Sequence, residues 1–304
     1  MYRGVLYLLA ATLTFSLVNL CVKLLNEPSF LFPETRTYPV HELVFFRSVI
    51  SLSICLVVVR MKKLPLFGNN HLWLITRGLF GSTGLFLFFM TIQHLPLAIA
   101  TTVQYLSPVF TVVVAIYLLK EKVKWLQWIF FIISMSGIFV LGYDSSENAD
   151  VSFWWILVGV ISAFFSGVAY NAIMKCRDTE APITVVMYFP LVAVPITGIW
   201  CIAGDFIIPQ GNEWFLILAM GVLTQVAQVC MTRAFLAESA SVVAPLKYVG
   251  AVYASFLGYF IFDERLNGWA VGGIVLIVAG VLLNTWYKKV FLRVDTSSHS
   301  ELQK

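Results

Sequence analysis

The sequence predicts an all-α membrane protein: ten transmembrane helices in two inverted five-helix repeats, with both termini cytoplasmic. Three observations carry this. Of 304 residues, 60% are hydrophobic and 12% charged, whereas a soluble domain keeps about 25% charged. A pair of membrane-length apolar runs is written twice, with Tyr105 and Tyr248, Glu121 and Glu264, and Gly137 and Gly280 matching at one offset of 143 residues. Lys and Arg fall almost wholly on one side of the proposed membrane.

Spans of roughly 20 apolar residues fall at 4–26, 40–60, 71–93, 96–118 and 124–142 in the first half. The second half supplies 152–174, 183–203, 213–235, 239–262 and 267–287. Met1-Tyr2-Arg3 runs into the first of these with no small-residue cleavage site, which reads as a retained span rather than a signal peptide. Residues 1–142 form the first repeat and 152–287 the second. The polar segment 143–151 joins them, and 288–304 form a cytoplasmic tail. The loops are short and leave no room for a soluble domain. Trp residues such as Trp73, Trp125, Trp154 and Trp269 fall near span ends, where amphipathic rings prefer the headgroup level.

Orientation follows from the basic residues. With the N-terminus inside, Arg3, Arg60, Lys62, Lys63, Lys120, Lys122, Lys124, Lys175, Arg177, Lys288, Lys289, Arg293 and Lys304 are cytoplasmic. Only Arg36 and Arg265 lie in outer loops. Five spans per half is an odd number, so the halves enter the membrane in opposite senses. The net charge of +4 therefore reflects membrane-flanking loops and gives no sign of nucleic-acid binding. Four of the five Cys lie in apolar runs, and no Cys/His spacing suggests a metal or disulfide framework. No metal or cofactor is expected.

Charges inside spans are costly and mark candidate sites. They are Lys23, Arg47, Arg77, Arg233 and Lys247, all basic, with every Asp and Glu near a span end. A cavity of this sign suits a carboxylate, a phosphate or a zwitterion. It does not suit exchange of a lipophilic cation against a proton on a buried carboxylate.

Lys247, with Tyr248, leads the candidates, and Gln104-Tyr105 is its repeat mate. On facing halves the two pairs would meet near the midplane and form a polar binding site. The alternative for Lys247 is a side chain that snorkels to the interface. Pro108 and Pro245 each free the carbonyl four residues back, that of Gln104 and of Ser241, either to face a cavity or simply to kink the helix. Asn19-x-x-x-Lys23 and Asn171-x-x-x-Lys175 match between spans one and six, so Asn19 and Asn171 would bind substrate or bond a neighbouring helix. Arg47 reads equally as a cavity charge or an interhelical clamp. Arg77 and Arg233 read as headgroup anchors. Gly78, Gly81 and Gly84 make a thin packing face, Glu121 and Glu264 hold helix ends, and Gly268-x-x-x-Gly272 offers a homodimer contact.

With these residues in place, the chain resembles the EamA family of the drug/metabolite transporter superfamily over nearly its whole length, as two units at about 4–142 and 152–287. The resemblance rests on Ser107-Pro108-Val109-Phe110, Leu118-Leu119-Lys120-Glu121 and Phe262-Asp263-Glu264-Arg265. Phe15-Ser16 with Lys23, and Phe46-Arg47, also fit. One departure is Val249-Gly250-Ala251, where the first unit has its Ser-Pro step. The resemblance implies ten helices in inverted repeats, a central cavity and alternating access. Its members include amino-acid and metabolite exporters and uptake carriers, and it is related to nucleotide-sugar and phosphate-ester carriers.

The expected function is secondary transport of a small polar metabolite across the inner membrane, first an amino acid or similar carboxylate or zwitterion. The alternatives are a nucleoside-like metabolite (including the S-adenosylmethionine type) stacked on Tyr105 and Tyr248, a phosphorylated metabolite, or a non-transporting membrane protein. The four His lie at the span ends or beyond them, and no nucleophile–base pair is visible, so an enzyme is not expected.

Overall fold

In the computed structural model the chain is described for residues 2–26, 36, 38–94, 103–142, 153–204, 206–262 and 268–301. The helices are α1 (Tyr2–Asn26), α2 (Val40–Met61), α3 (His71–His94), α4 (Ser107–Leu118), α5 (Trp125–Gly142), α6 (Phe153–Lys175), α7 (Pro182–Ala203), α8 (Glu213–Ala237), α9 (Ala240–Leu246), α10 (Val249–Phe262) and α11 (Gly268–Glu301). Among the described residues there is no strand. Seven stretches are long and apolar enough to cross a membrane, α9 and α10 together counting as one. Three shorter apolar helices accompany them, at Ser107–Leu118, Trp125–Val140 and Val271–Tyr287. Exposed Leu6, Ile132, Phe215, Phe260 and Leu282 give the bundle an apolar outer surface suited to lipid, so the protein is an integral, multi-pass membrane protein.

The packing couples the two halves. α1 lies on α8, α3 on α6, α2 on α7, α5 on α11 and α4 on α9; α4 also meets α6, as α10 meets α1. Exchanging α1–α3 with α6–α8, α4 with α9–α10 and α5 with α11 reproduces this set of pairs. A close backbone approach within it is made by two glycines at repeat-equivalent positions. A Cβ on Gly137 would stand 2.7 Å from the Gly273 carbonyl oxygen, and one on Gly280 would stand 2.6 Å from that of Phe130. Without side chains there, the backbones of α5 and α11 touch.

The span at 239–262 is not one helix. It breaks at Lys247-Tyr248 between α9 and α10. Its mate is interrupted at Tyr105-Leu106, between a helical turn at 103–104 and α4. The breaks fall one repeat offset apart, give or take a residue, although the prolines do not. Pro245 sits near the end of α9 and Pro108 at the start of α4. Proline stops a helix from one side and starts one from the other, so two unequal positions give one matched break. Pro108 is thus a helix-initiating residue and not a mid-helix kink. Residues 95–102, the rest of the span at 96–118, lie outside the described residues, as do the linker at 143–152 and Glu264. The expected tail continues α11 as helix to Glu301, there being no Gly or Pro after Gly280 to stop it.

One end of the bundle is tied by polar side chains. The Glu180 carboxylate accepts from the Asn69 and Asn70 N–H groups (2.6 and 2.5 Å). Arg177 donates to the carbonyls of Phe235 and Glu238 (3.1 and 2.6 Å). The starts of α3 and α9 and the end of α6 therefore lie together. At the other end, Glu213 pairs with Arg36 at 3.0 Å and accepts from the Tyr38 hydroxyl at 2.6 Å. Buried Glu42 accepts from the Ile207 N–H at 3.2 Å.

Candidate functional site

The break after α9 carries Lys247 out of the helical ladder and aims its side chain across the interface between the halves. The ammonium donates to the Tyr170 hydroxyl of α6 (2.9 Å) and to the Ser107 hydroxyl at the start of α4 (3.2 Å). It also sits 4.1 Å from the centroid of the Tyr170 ring, a cation–π contact that partly offsets desolvation. Tyr170 is itself stacked on Phe235 of α8, centroids 5.0 Å apart and planes within 7°. An ammonium has three N–H donors; the third has no acceptor among the described residues. Nor does Lys247 form an ion pair there.

A second cation stands at the same level. Arg77 of α3 is 2% exposed. It donates to the Gln228 side-chain carbonyl of α8 at 3.1 Å and lies 5.3 Å from the Phe189 ring centroid, while its Nε has no partner. Gly81, one turn along α3, leaves the guanidinium its place: a Cβ there would collide with it. Arg77 is therefore no headgroup anchor. It is a buried charge compensated by neutral groups alone among the described residues, and such burial is costly.

The predicted site residues divide. Tyr105 and Tyr248 do meet across the repeats, ring centroids 5.9 Å apart at 62°. Tyr248, however, turns away from Lys247, is fully buried and packs on Phe131 at 5.7 Å, so neither of its faces is open for a base to stack. Gln104 is engaged with α6: its amide donates to the Ser166 hydroxyl at 3.1 Å and its carbonyl accepts from that of Ser162 at 3.0 Å. It does not join Lys247. Asn171 spends both amide hydrogens on the Thr111 and Gly167 carbonyls at 2.9 Å each, leaving its oxygen without a partner. This locks α6 to α4. Asn19 is exposed, on the α1 face that also carries Thr12 and Ser16; the Ser16 hydroxyl reaches the Gly250 carbonyl of α10 at 3.2 Å. Arg47 is buried on α2 with an unpartnered Nε, and no hydrogen bond holds it among the described residues.

The carbonyl that Pro245 frees, that of Ser241, is taken by the Asn284 amide of α11 at 2.9 Å. It therefore serves packing and does not face a ligand. Glu121 acts as expected of a helix-end residue, accepting from the N–H groups of Ala240 and Ser241 at 3.0 Å each and from the Ser241 hydroxyl.

Sequence reasoning missed Tyr170, Ser107, Gln228, Ser162 and Ser166 as partners and misplaced Arg77. Two signals pointed to them: Tyr170 adjoins the matched Asn171, and Gly81 lies one turn from Arg77. A cavity of about 120 Å³ opens elsewhere, between α2, α3 and α7, lined by Val44, Phe86, Phe89, Ala193, Ile196 and Trp200 among others, and it holds neither Lys nor Arg. Lys247 and Arg77 both lie outside its lining.

A family model matches residues 2–143 and 153–286, that of the EamA-like transporter family. The chain belongs to that family. It is 31% identical, over 92% of its own length and 95% of the relative's, to the pseudopaline exporter CntI of Pseudomonas aeruginosa. It is 27% identical to human solute carrier family 35 member G1, covering 94% of this chain and 80% of that one. Identity to the S-adenosylmethionine uptake transporter of Rickettsia prowazekii is 23%, over 90% and 92%. A solved crystal structure of 18% identity shares the fold, with a TM-score of 0.79 over 95% of this chain and 98% of that one. The EamA protein described here is thus a membrane transporter by family.

Proposed function

We propose that this EamA protein is a secondary carrier that moves a small polar metabolite across the inner membrane by alternating access, its substrate an amino acid or a similar carboxylate or zwitterion. The observation that carries this is Lys247: an ammonium on a broken helix, held between the halves by Tyr170 and Ser107, with a donor to spare and no carboxylate paired with it among the described residues. Broken helices at repeat-related positions are how carriers expose polar groups near the midplane. The exchange-symmetric packing of the two halves supports ten spans in inverted repeats with both termini cytoplasmic. In that arrangement the halves would rock about the Lys247 site. Transport, and no catalysis, is its role, with neither cofactor nor metal. Gly268 and Gly272 have open space where a side chain would be, which supports a homodimer contact on α11.

The nucleoside-like alternative draws support from the S-adenosylmethionine uptake relative, and it loses support from the enclosure of Tyr248. The experiment is uptake into proteoliposomes of labelled amino acids, nucleosides and sugar phosphates, comparing wild type with Lys247→Ala. Selective loss of carboxylate transport in the variant is expected. Unchanged transport would remove Lys247 from the site, and transport of lipophilic cations alone would overturn the charge argument.

A further inference from the structure

Arg77 and Lys247 enter the same layer of the bundle from different halves. Arg77 is six residues from the start of α3, and Lys247 seven from the start of α9. At 1.5 Å per residue both lie about 10 Å from the end where those starts meet. Tyr170, five residues before the end of α6, stands at this level too. Its hydroxyl accepts from Lys247 and lies within electrostatic reach of the Arg77 guanidinium. Two cations thus lie at the level of one tyrosine, each with an N–H that no described residue accepts and neither paired with an Asp or Glu among the described residues.

We infer that Arg77 is the second cation of the substrate site and that the substrate carries two carboxylates, one for Lys247 and one for Arg77. This rests on the reading of Lys247 as a carboxylate-binding residue. The Arg77 guanidinium, set over Phe189 in the slot that Gly81 leaves, presents a planar fork suited to a carboxylate. The two cations come from different elements, Lys247 from the end of α9 and Arg77 from α3, and hold different partners, which suits two distinct carboxylates better than the clustered oxygens of one phosphate. The sequence led with Lys247 and read Arg77 as a headgroup anchor; burial of Arg77 changes that reading.

The test is binding to the purified full-length protein of matched pairs that differ by one charge: succinate and succinamate, aspartate and asparagine, glutamate and glutamine, with inorganic phosphate alongside. Wild type should bind at least one dicarboxylate about tenfold tighter than its monoamide, as a charge-assisted contact predicts. Arg77→Gln should bring the pair to near parity while binding of the monoamide persists. Gly81→Ala, which displaces the guanidinium without removing charge, should do the same, and Arg77→Lys should keep part of the preference. An unchanged preference in Arg77→Gln and Gly81→Ala, no dicarboxylate preference in wild type, or tighter binding of phosphate than of any dicarboxylate would overturn the inference. Failure of the underlying reading shows differently: Lys247→Gln would then leave monoamide binding intact.

Discussion

Asn284 donates its amide to the Ser241 carbonyl at 2.9 Å, the oxygen that Pro245 withdraws from the helical ladder of α9. The bond joins α11 to the broken helix just where that helix lacks a partner of its own. Replacing Asn284 with Leu leaves the carbonyl buried and unsatisfied, at a cost of about 1–3 kcal/mol. A lower midpoint of thermal unfolding in detergent is expected. Asn284→Asp, which cannot donate when ionised, should be no better.

Gly137 and Gly280 hold α5 and α11 in backbone contact. Alanine at either position forces the helices apart, costing about 1–3 kcal/mol as overpacking does. Because each glycine meets backbone atoms, relaxation by a rotamer change is not open. Gly250→Ala is the control: its nearest neighbours stand at 3.8 Å or beyond, and it should not lower the unfolding midpoint.

Glu121 closes the start of α9 with both carboxylate oxygens. Glu121→Ala should weaken the end of the bundle by about 1 kcal/mol or more, in line with the loss of a capping side chain. Glu121→Gln, which keeps one acceptor, should lose less. Hydrogen exchange at the Ala240 and Ser241 amides reports the difference directly.

Cys176 is fully buried in the turn after α6. Burial first, and the nearby Glu180 charge second, push its thiol up to about 12. The folded protein therefore holds the neutral thiol, and this contribution to stability is complete below the ordinary thiol value. It is lost as pH rises from there through about 12. Maleimide at neutral pH should leave Cys176 unlabelled in the native protein and label it after denaturation, as peptide mass mapping would show. Rapid native labelling would contradict the burial.

Much of the fold was legible because lipid imposes simple rules. Apolar runs of fixed length, Trp at their ends and a repeat offset all follow from one-dimensional chemistry, and seven of the spans return as stretches long and apolar enough to cross a membrane, one of them broken at Lys247-Tyr248. The interruptions were less legible. Pro108 and Pro245 stand three residues to either side of the repeat-related breaks, and only the folded chain shows that they act on the same place. The site was read in part. Lys247 was visible as a charge in an apolar run, and Tyr105 and Tyr248 do touch, but Gln104 and Asn171 proved to be tied to helix α6 and the α4 backbone.

The sequence by itself determined the class and the family and singled out Lys247 as a charge within an apolar run, because membrane insertion and charge bias act locally along the chain. Partnership was decided only by the tertiary structure. Whether Arg77 snorkels to a headgroup or turns inward depends on Gly81, Phe189 and Gln228, which come from three helices. The direction of Lys247 likewise depends on a tyrosine 77 residues away. These are contacts between distant segments, set by packing geometry, and no local pattern in the chain encodes them.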